Sequence, residues 1–361
     1  MKATEMLHNS GQSLWLHNAT RDLLKSGLLK SYIDELYLTG LTSDPTNFIP
    51  AIRNNNTYDE AIVKKLKKGR VGEELFFELA LEYLTQAADL FRPVYDRTNG
   101  VDGWVSLKLS PLLVQNSAGI LAAAKNLYAR GKRPNILIQI PGTSEGLPAV
   151  EEAIFAGVPV NVTHLFSREH YLAAADAYLR GIERRIAAGL KPDVGSVASV
   201  FVRRWDTAVA DRLPGVLENQ LGIAMARRTY KACRALLTSR RWQRIYNVGG
   251  RPQRLLWDNT GTKDSQTSNL FYIKALAAPV TVNTITEATL KDLADSDELP
   301  KIMSADGGDC EEILAQFAEL GIDLEALAAQ LQEDGKKSFV DSWTDLMAVI
   351  SSKSDILWKR V

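Results

Sequence analysis

Residues 104–140 read WVSLKLSPLLVQNSAGILAAAKNLYARGKRPNILIQI, with two short apolar runs on either side of a longer amphipathic stretch. The runs at 104–109 and 135–140 have the length of buried strands, and the stretch at 112–129 has apolar residues at helical spacing. A helix between two strands is the usual connection between parallel neighbours. This part of the chain therefore predicts a strand–helix–strand unit of a parallel sheet.

The same alternation extends over most of the chain. Eight candidate strands occur, at residues 13–16, 38–42, 104–109, 135–140, 158–162, 196–202, 254–257 and 280–283. Helical patterns lie between them, at residues 20–36, 58–91 in pieces, 112–129, 147–156, 168–188 and 207–238. Eight parallel strands joined by helices close a (β/α)₈ barrel. We predict an α/β protein with a single TIM-barrel domain, the barrel covering about residues 10–300 and a C-terminal helical extension about residues 301–361.

The residues after the last candidate strand are helical by pattern, at residues 310–320, 324–332 and 338–349. We expect these helices to close the barrel or to cover its mouth. No internal repeat and no low-complexity linker separates them from the barrel, which argues against a second domain.

Composition and charge exclude several functional classes. The 361 residues are 45% hydrophobic and 24% charged, and 43 Lys plus Arg balance 43 Asp plus Glu. A formal charge of zero provides no field for binding nucleic acid or an anionic membrane. Cys233 and Cys310 form neither a disulfide framework nor a zinc motif. The sequence has no apolar core of a signal peptide and no apolar run of about 18 residues, the length of a membrane-spanning helix. We expect a soluble cytoplasmic protein without nucleic-acid or membrane partners, metal or cofactor; a homo-oligomer stays open.

Polar side chains inside two candidate strands indicate where a site lies. Lys108 in the third strand and Gln139 in the fourth alternate with apolar neighbours. The apolar residues would pack on the helices, so Lys108 and Gln139 point into the barrel. Both lie near the C-terminal ends of their strands, where barrel active sites are assembled. The alternative is that each is an interior polar group with a purely structural hydrogen bond.

Eight segments along nearly the whole chain form an ordered set of motifs. They occur at residues 12–16 (QSLWL), 41–45 (LTSDP), 105–111 (VSLKLSP), 133–143 (RPNILIQIPGT), 160–167 (VNVTHLFS), 196–206 (SVASVFVRRWD), 256–263 (LWDNTGTK) and 281–289 (TVNTITEAT). Together they resemble the transaldolase family, in particular its longer bacterial and plant-type members. The resemblance implies a single barrel and a role in carbohydrate metabolism.

The resemblance also implies a catalytic machinery that this chain has partly replaced. Transaldolases carry a Schiff-base lysine in the fourth strand, where this sequence has Gln139, whose amide cannot form an imine with a ketose carbonyl. Lys108 stands at the position of the family's third-strand glutamate. His17, Asp44 and Asn259 stand where the family has an aspartate, an asparagine and a serine. Differences on five strands indicate natural divergence rather than one engineered change.

Other positions keep the residues that the resemblance assigns to the site. Asn161 and Thr163 are retained on the fifth strand, and Ser199 and Arg204 on the sixth. In transaldolases the serine and the arginine of this segment help to bind the sugar phosphate, and a guanidinium fits a phosphate in shape and charge. Lys263, after a flexible turn, would complete that site. The expected ligand is a phosphorylated sugar such as fructose 6-phosphate or sedoheptulose 7-phosphate.

The altered strand ends favour a diverged enzyme. We assign the catalytic role to His17, Asp44, Lys108, Gln139 and Thr163, and substrate binding to Asn161, Ser199, Arg204, Asn259 and Lys263. An imidazole suits general acid/base catalysis, and an ammonium at Lys108 would stabilise an enediolate, as isomerases, epimerases and lyases require. Two alternatives stay open: an aldolase or transaldolase type of enzyme with its imine on Lys108, and a catalytically silent sugar-phosphate-binding protein.

His164 is outside these sets. It replaces an apolar residue of the family's motif, and by alternation it faces away from Thr163. We therefore expect His164 to pack against a helix or to be partly exposed.

A local excess of positive charge follows the sixth candidate strand. No acidic residue occurs between Asn219 and Trp257, while nine Lys and Arg residues accumulate from Arg227 to Arg254. We interpret this run as a solvated outer face; an acidic partner, a subunit contact and added attraction of phosphate to the barrel mouth are the alternatives.

Overall fold

The computed structural model describes residues 2–18, 21–113, 116–261, 267–298 and 300–359. Within these residues, eight parallel strands pair in chain order and the eighth pairs with the first, so that the sheet closes into a barrel. The strands are β1 Gln12–His17, β2 Leu38–Thr42, β3 Trp104–Lys108, β4 Ile136–Pro141, β5 Val160–Leu165, β6 Ser196–Phe201, β7 Arg254–Asp258 and β8 Thr281–Ile285. The predicted (β/α)₈ TIM barrel with additional C-terminal helices is confirmed.

Sixteen α-helices among the described residues surround or cover the barrel. They are α1 Ala3–Asn9, α2 Arg21–Lys25, α3 Leu28–Glu35, α4 Phe48–Asn54, α5 Asp59–Leu66, α6 Gly72–Arg97, α7 Ser117–Gly131, α8 Gly146–Phe155, α9 Arg168–Ala187, α10 Arg203–Val209, α11 Leu221–Leu237, α12 Arg240–Asn247, α13 Phe271–Ala275, α14 Glu287–Ala294, α15 Cys310–Glu319 and α16 Leu324–Trp358. None of the helices that the structure describes is both long enough and apolar enough to cross a bilayer.

The N-terminal end of the barrel is filled by large apolar side chains. The buried cluster there consists of Trp15, Trp104, Leu137, Val197, Leu256 and Val282. Two glycines make room for the indoles, because a Cβ would lie 2.6 Å from the Trp15 ring at Gly40 and 2.4 Å from the Trp104 ring at Gly195. This end of the barrel is therefore a packed core without space for a ligand.

Arg254 lies in this core, which corrects its assignment to a basic outer face. Its guanidinium forms an ion pair with Asp102 at 3.1 Å and donates to Ser13 Oγ at 2.6 Å and to the Thr281 carbonyl at 2.7 Å. Ser13 in turn donates to the other Asp102 oxygen at 2.6 Å. Arg254 begins β7, and the inward direction of its side chain brings it to Asp102, which precedes β3.

Three of the remaining cations of the basic run pair with carboxylates of other parts of the chain. Arg227 pairs with Asp309 at 2.8 Å, and Arg228 pairs with Glu311, both at the start of α15. Arg241 pairs with Glu183 of α9 at 2.7 Å. Carboxylates from other helices therefore neutralise much of a charge excess that is local only along the sequence.

The C-terminal helix α16 covers the barrel mouth. The two helices predicted at 324–332 and 338–349 are one helix of 35 residues, so the predicted break between them is wrong. A glycine inside a helix is unfavourable by only about 1 kcal/mol, so Gly335 does not end a helix that packs along its length. The Trp343 indole donates to Glu73 of α6 at 2.7 Å, and Lys353 pairs with Asp59 of α5 at 2.8 Å.

Candidate active site

A cavity of about 210 Å³ lies at the C-terminal ends of the strands, beneath α16. Of the residues predicted from the sequence, its lining brings together His17, Asp44, Lys108, Gln139, Asn161, Thr163, Arg204 and Asn259. Lys108 and Gln139 have the predicted inward orientation. Because parallel strands all end at the same rim of a barrel, side chains far apart in the sequence meet there.

An ion pair crosses the mouth between β2 and β3. Lys108 Nζ is 3.2 Å from Asp44 Oδ2, and the same ammonium lies 3.9 Å from the centre of the Phe339 ring. Burial would raise the pKa of the Asp44 carboxyl, but the Lys108 charge, hydrogen bonds from Thr46 and the His17 charge together lower it well below its usual range. Asp44 is therefore ionised at neutral pH.

The backbone after β2 holds Asp44 in place. Its Oδ1 accepts hydrogen bonds from the Thr46 N–H at 3.0 Å and the Thr46 hydroxyl at 2.9 Å, which caps the short 3₁₀ helix Pro45–Asn47. The Asp44 N–H donates to Asn18 Oδ1. His17, at the end of β1, has its Nδ1 3.4 Å from Thr42 Oγ1. His17 and Asp44 are thereby fixed on neighbouring strand ends.

Gln139 is buried and held by backbone carbonyl groups. Its Nε2 donates to the Ser43 carbonyl at 3.1 Å and lies 3.4 Å from the Ser106 carbonyl. In the sheet register Gln139 stands opposite Lys108 on β3 and opposite Asn161 on β5. An amide fits this position because it can donate to two carbonyls without carrying a charge.

A chain of side-chain hydrogen bonds crosses the barrel below the cavity floor. Ser199 Oγ donates to Asn161 Oδ1 at 2.7 Å, and Asn161 Nδ2 donates to Ser106 Oγ at 3.1 Å. Ser199 is fully buried beneath the cavity, while Asn161 and Thr163 line it. Ser199 therefore contributes to the cavity by orienting the Asn161 amide and not by lining the cavity itself.

The opposite rim carries Arg204 and Asn259. Arg204 lies at the start of α10 and lines the cavity, and no carboxylate of the described residues lies within ion-pair distance of it. Asn259 has a φ of +59°, and its buried Oδ1 has no hydrogen-bond partner among the described residues. Lys263 lies outside the described residues. This rim thus presents a guanidinium and an amide oxygen with unused hydrogen-bonding capacity.

The structure places His164 in the cavity wall, which corrects the prediction that it faces away from the mouth. The pairing of β5 with β6 shifts register between Val162 and Leu165, and His164 has a φ of +60°. Such a bulge interrupts period-two alternation, so Thr163 and His164 both line the cavity. The predicted packing against a helix is present, because the centre of the His164 ring is 6.2 Å from that of Phe339 on α16.

Helix α16 also contributes residues to the wall that were not predicted from the sequence. They are Gly335, Ser338, Phe339 and Ser342. The helical pattern of this segment indicates an amphipathic helix but not which part of the barrel it covers. Phe201 and Phe166, within motifs already quoted, complete the apolar part of the lining.

Known proteins that are similar to this chain are transaldolases. The family described as Transaldolase/Fructose-6-phosphate aldolase matches residues 14–350. The chain is 36% identical to a transaldolase of Parafrankia sp. (strain EAN1pec), with 95% of this chain and 96% of the relative covered. It is 37% identical to a transaldolase of Saccharopolyspora erythraea, with 97% of each chain covered, and 34% identical to transaldolase 2 of Nostoc punctiforme, with 96% of each covered. The chain therefore belongs to the transaldolase/fructose-6-phosphate aldolase family.

Proposed function

We propose that this protein is a single-domain enzyme that binds a phosphorylated sugar and carries out acid/base chemistry of the isomerase, epimerase or lyase type. The observation that carries the proposal is the pairing of Lys108 with Asp44 in the cavity, beside an amide at position 139. Lys108 supplies the one amine of the described lining, and its Nζ is 3.2 Å from a carboxylate oxygen of Asp44. A chain with these groups is suited to stabilise a negative oxygen and poorly suited to form an imine.

We infer the orientation of the ligand from the charged side chains of the cavity. Arg204 takes the phosphate, because it is the cation of the described lining that lacks a carboxylate partner. Lys263 remains a predicted second contact for the phosphate. The carbonyl end of the sugar then reaches Lys108 and Asp44 on the opposite side of the cavity.

Proton transfer falls to His17 rather than to Asp44. The lowered pKa of Asp44 makes its carboxylate a weak base, so Asp44 positions Lys108 through their ion pair rather than accepting a proton. The Lys108 ammonium stabilises the oxygen of an enediolate while His17 accepts or returns the proton on carbon. Gln139 and Asn161 position the hydroxyl groups of the sugar.

The experiment is NMR in deuterated water with a panel of ketose and aldose phosphates that includes fructose 6-phosphate and sedoheptulose 7-phosphate. We expect deuterium at the carbon next to the carbonyl, or a new product. Lys108→Met should slow this exchange by about 10²–10³-fold, while Lys337→Met on the exposed face of α16 serves as the matched control. Arg204→Ala should weaken binding. Binding without exchange for every sugar that binds would favour a catalytically silent binding protein.

One observation favours a second candidate function, an aldolase type of enzyme with its imine on Lys108. Lys108 stands opposite Gln139 in the sheet register, so its amine lies one strand from the position where the family carries its lysine. The amine would attack the ketose carbonyl and water would leave, after which borohydride would reduce the imine to a stable adduct. Mass spectrometry after borohydride treatment with fructose 6-phosphate tests this. An adduct on Lys108, increased in Asp44→Asn, would replace the acid/base proposal.

A further inference from the structure

The bulge in β5 turns a histidine toward an otherwise apolar part of the cavity wall. His164 adopts the left-handed backbone region at φ +60°, which a residue with a side chain adopts only when its surroundings hold it there. Gln332 Nε2 holds the bulge by donating to the His164 carbonyl at 2.8 Å, and it also lies 3.4 Å from the Gly142 carbonyl. The bulge and the C-terminal helix are therefore fixed to each other.

The His164 ring lies between two phenylalanines from different parts of the chain. Its centre is 5.8 Å from that of Phe201 on β6 and 6.2 Å from that of Phe339 on α16. Burial, together with the charges of Lys108 and Arg204, lowers the pKa of His164 to about 3. The imidazole is therefore neutral and behaves as a wall of the cavity, not as a charged group.

Gly335 allows α16 to approach this ring closely. A Cβ at position 335 would lie 3.1 Å from His164 Cδ2, closer than side-chain contacts normally are. One turn further along, Phe339 covers the Lys108 ammonium. Gly335 and Phe339, four residues apart, therefore lie on the same face of α16, the first over His164 and the second over Lys108.

We propose that His164 and Gly335 form a fitted pair that sets the height of the α16 roof over the cavity and thereby limits the length of the sugar phosphate that binds. The inference rests on the proposed function and adds to it the residues that determine specificity. His164 fills the wall and Gly335 leaves room for it, so the effect of a substitution at one position on ligand size depends on the residue at the other.

The test measures affinity by calorimetry for erythrose 4-phosphate, fructose 6-phosphate and sedoheptulose 7-phosphate. Removing the ring in His164→Ala should increase the ratio of seven-carbon to four-carbon affinity by about tenfold, because the cavity becomes larger. His164→Leu keeps the volume and should keep the wild-type ratio. Gly335→Ala alone should weaken binding of all three sugars by about tenfold through overpacking, and in the His164→Ala background it should return the ratio toward the wild-type value.

Lys337→Ala, on the exposed face of α16, is the control for a substitution that leaves the roof in place. An equal effect of Gly335→Ala in both backgrounds would overturn the fitted pair while leaving the proposed function intact, provided that the wild-type protein binds these sugars and Arg204→Ala weakens binding. An unchanged size ratio in His164→Ala would do the same. Failure of the wild-type protein to bind any of the three sugars would overturn both proposals.

Discussion

The two ends of the barrel each contain an ion pair, and the two pairs are built differently. At the N-terminal end, the Arg254 guanidinium contacts Asp102, Ser13 and Thr281, and both side chains of the pair are 8% exposed. At the C-terminal end, Lys108 contacts Asp44 and a phenylalanine ring, and Asp44 is 23% exposed. The first pair has its hydrogen bonds satisfied within the protein, whereas the second faces a cavity.

This difference indicates what each end contributes. Removing one partner of a buried, fully hydrogen-bonded ion pair strongly destabilises the protein, because the other charge stays buried. An ion pair that faces a cavity keeps access to water and to a ligand. Removing one of its partners should therefore lower the free energy of unfolding less and alter ligand binding or catalysis more. The N-terminal end of the barrel thus contributes mainly to stability, and the C-terminal end carries the candidate site, as is common in TIM barrels.

The largest effect on stability is expected at the N-terminal end. Arg254→Met leaves the Asp102 carboxylate buried without its cation, and the free energy of unfolding should fall by about 3–5 kcal/mol. Urea unfolding followed by circular dichroism measures it. Arg228→Met, which removes an exposed pair with Glu311, should lower it by less than about 1 kcal/mol. Equal losses in the two variants would contradict the contrast between a buried and an exposed pair.

A smaller effect, dependent on pH, is expected at the C-terminal end from His164. Its pKa in the folded protein is about 3, below that of an unfolded histidine, so only the unfolded state takes up a proton as the pH falls through about 6.5. The difference in the pKa of His164 should therefore by itself lower the free energy of unfolding by about 2 kcal/mol between pH 7 and pH 5. Urea unfolding at both pH values should show a smaller loss in His164→Leu. An equal loss in both proteins would contradict a buried neutral imidazole.

The smallest effect is expected from the pair that faces the cavity. Lys108→Met should lower the free energy of unfolding at pH 7 by about 1 kcal/mol, because Asp44 keeps its hydrogen bonds from Thr46. The lowered pKa of Asp44 contributes stability that is present above about pH 4 and is lost as the pH falls further. Unfolding curves should therefore show a weaker acid dependence in Lys108→Met. A loss as large as that in Arg254→Met would remove the contrast between the two ends.

The sequence predicts the barrel well because strands repeat a simple pattern. Alternation in β3 and β4 places Lys108 and Gln139 inside, and a closed sheet then brings their neighbours to the same rim. Alternation fails at His164, because a bulge adds one residue to β5. No residue type in that segment predicts the bulge. Period-two alternation therefore predicts which side of the sheet a residue faces only where the pairing of the strands is regular.

Contacts between distant segments are the other part that the sequence does not reveal. Arg254 belongs to a run of cations along the chain, and only the closed sheet shows that it meets Asp102 inside the barrel. Phe339 lies on an amphipathic helix whose apolar face could cover any part of the barrel. Its position over Lys108 depends on packing between α16 and the strand ends, which local pattern does not encode.

The place of α16 in the chain has a consequence for biosynthesis. Proteins are made from the N-terminus, and α16 follows all eight strands, so the barrel can close on the ribosome before its roof exists. During that interval the nascent barrel exposes Phe201 and the strand ends that α16 later covers. A chain terminated before Leu324 would therefore keep all eight strands, lack the cavity wall that α16 supplies and be prone to associate through its open mouth.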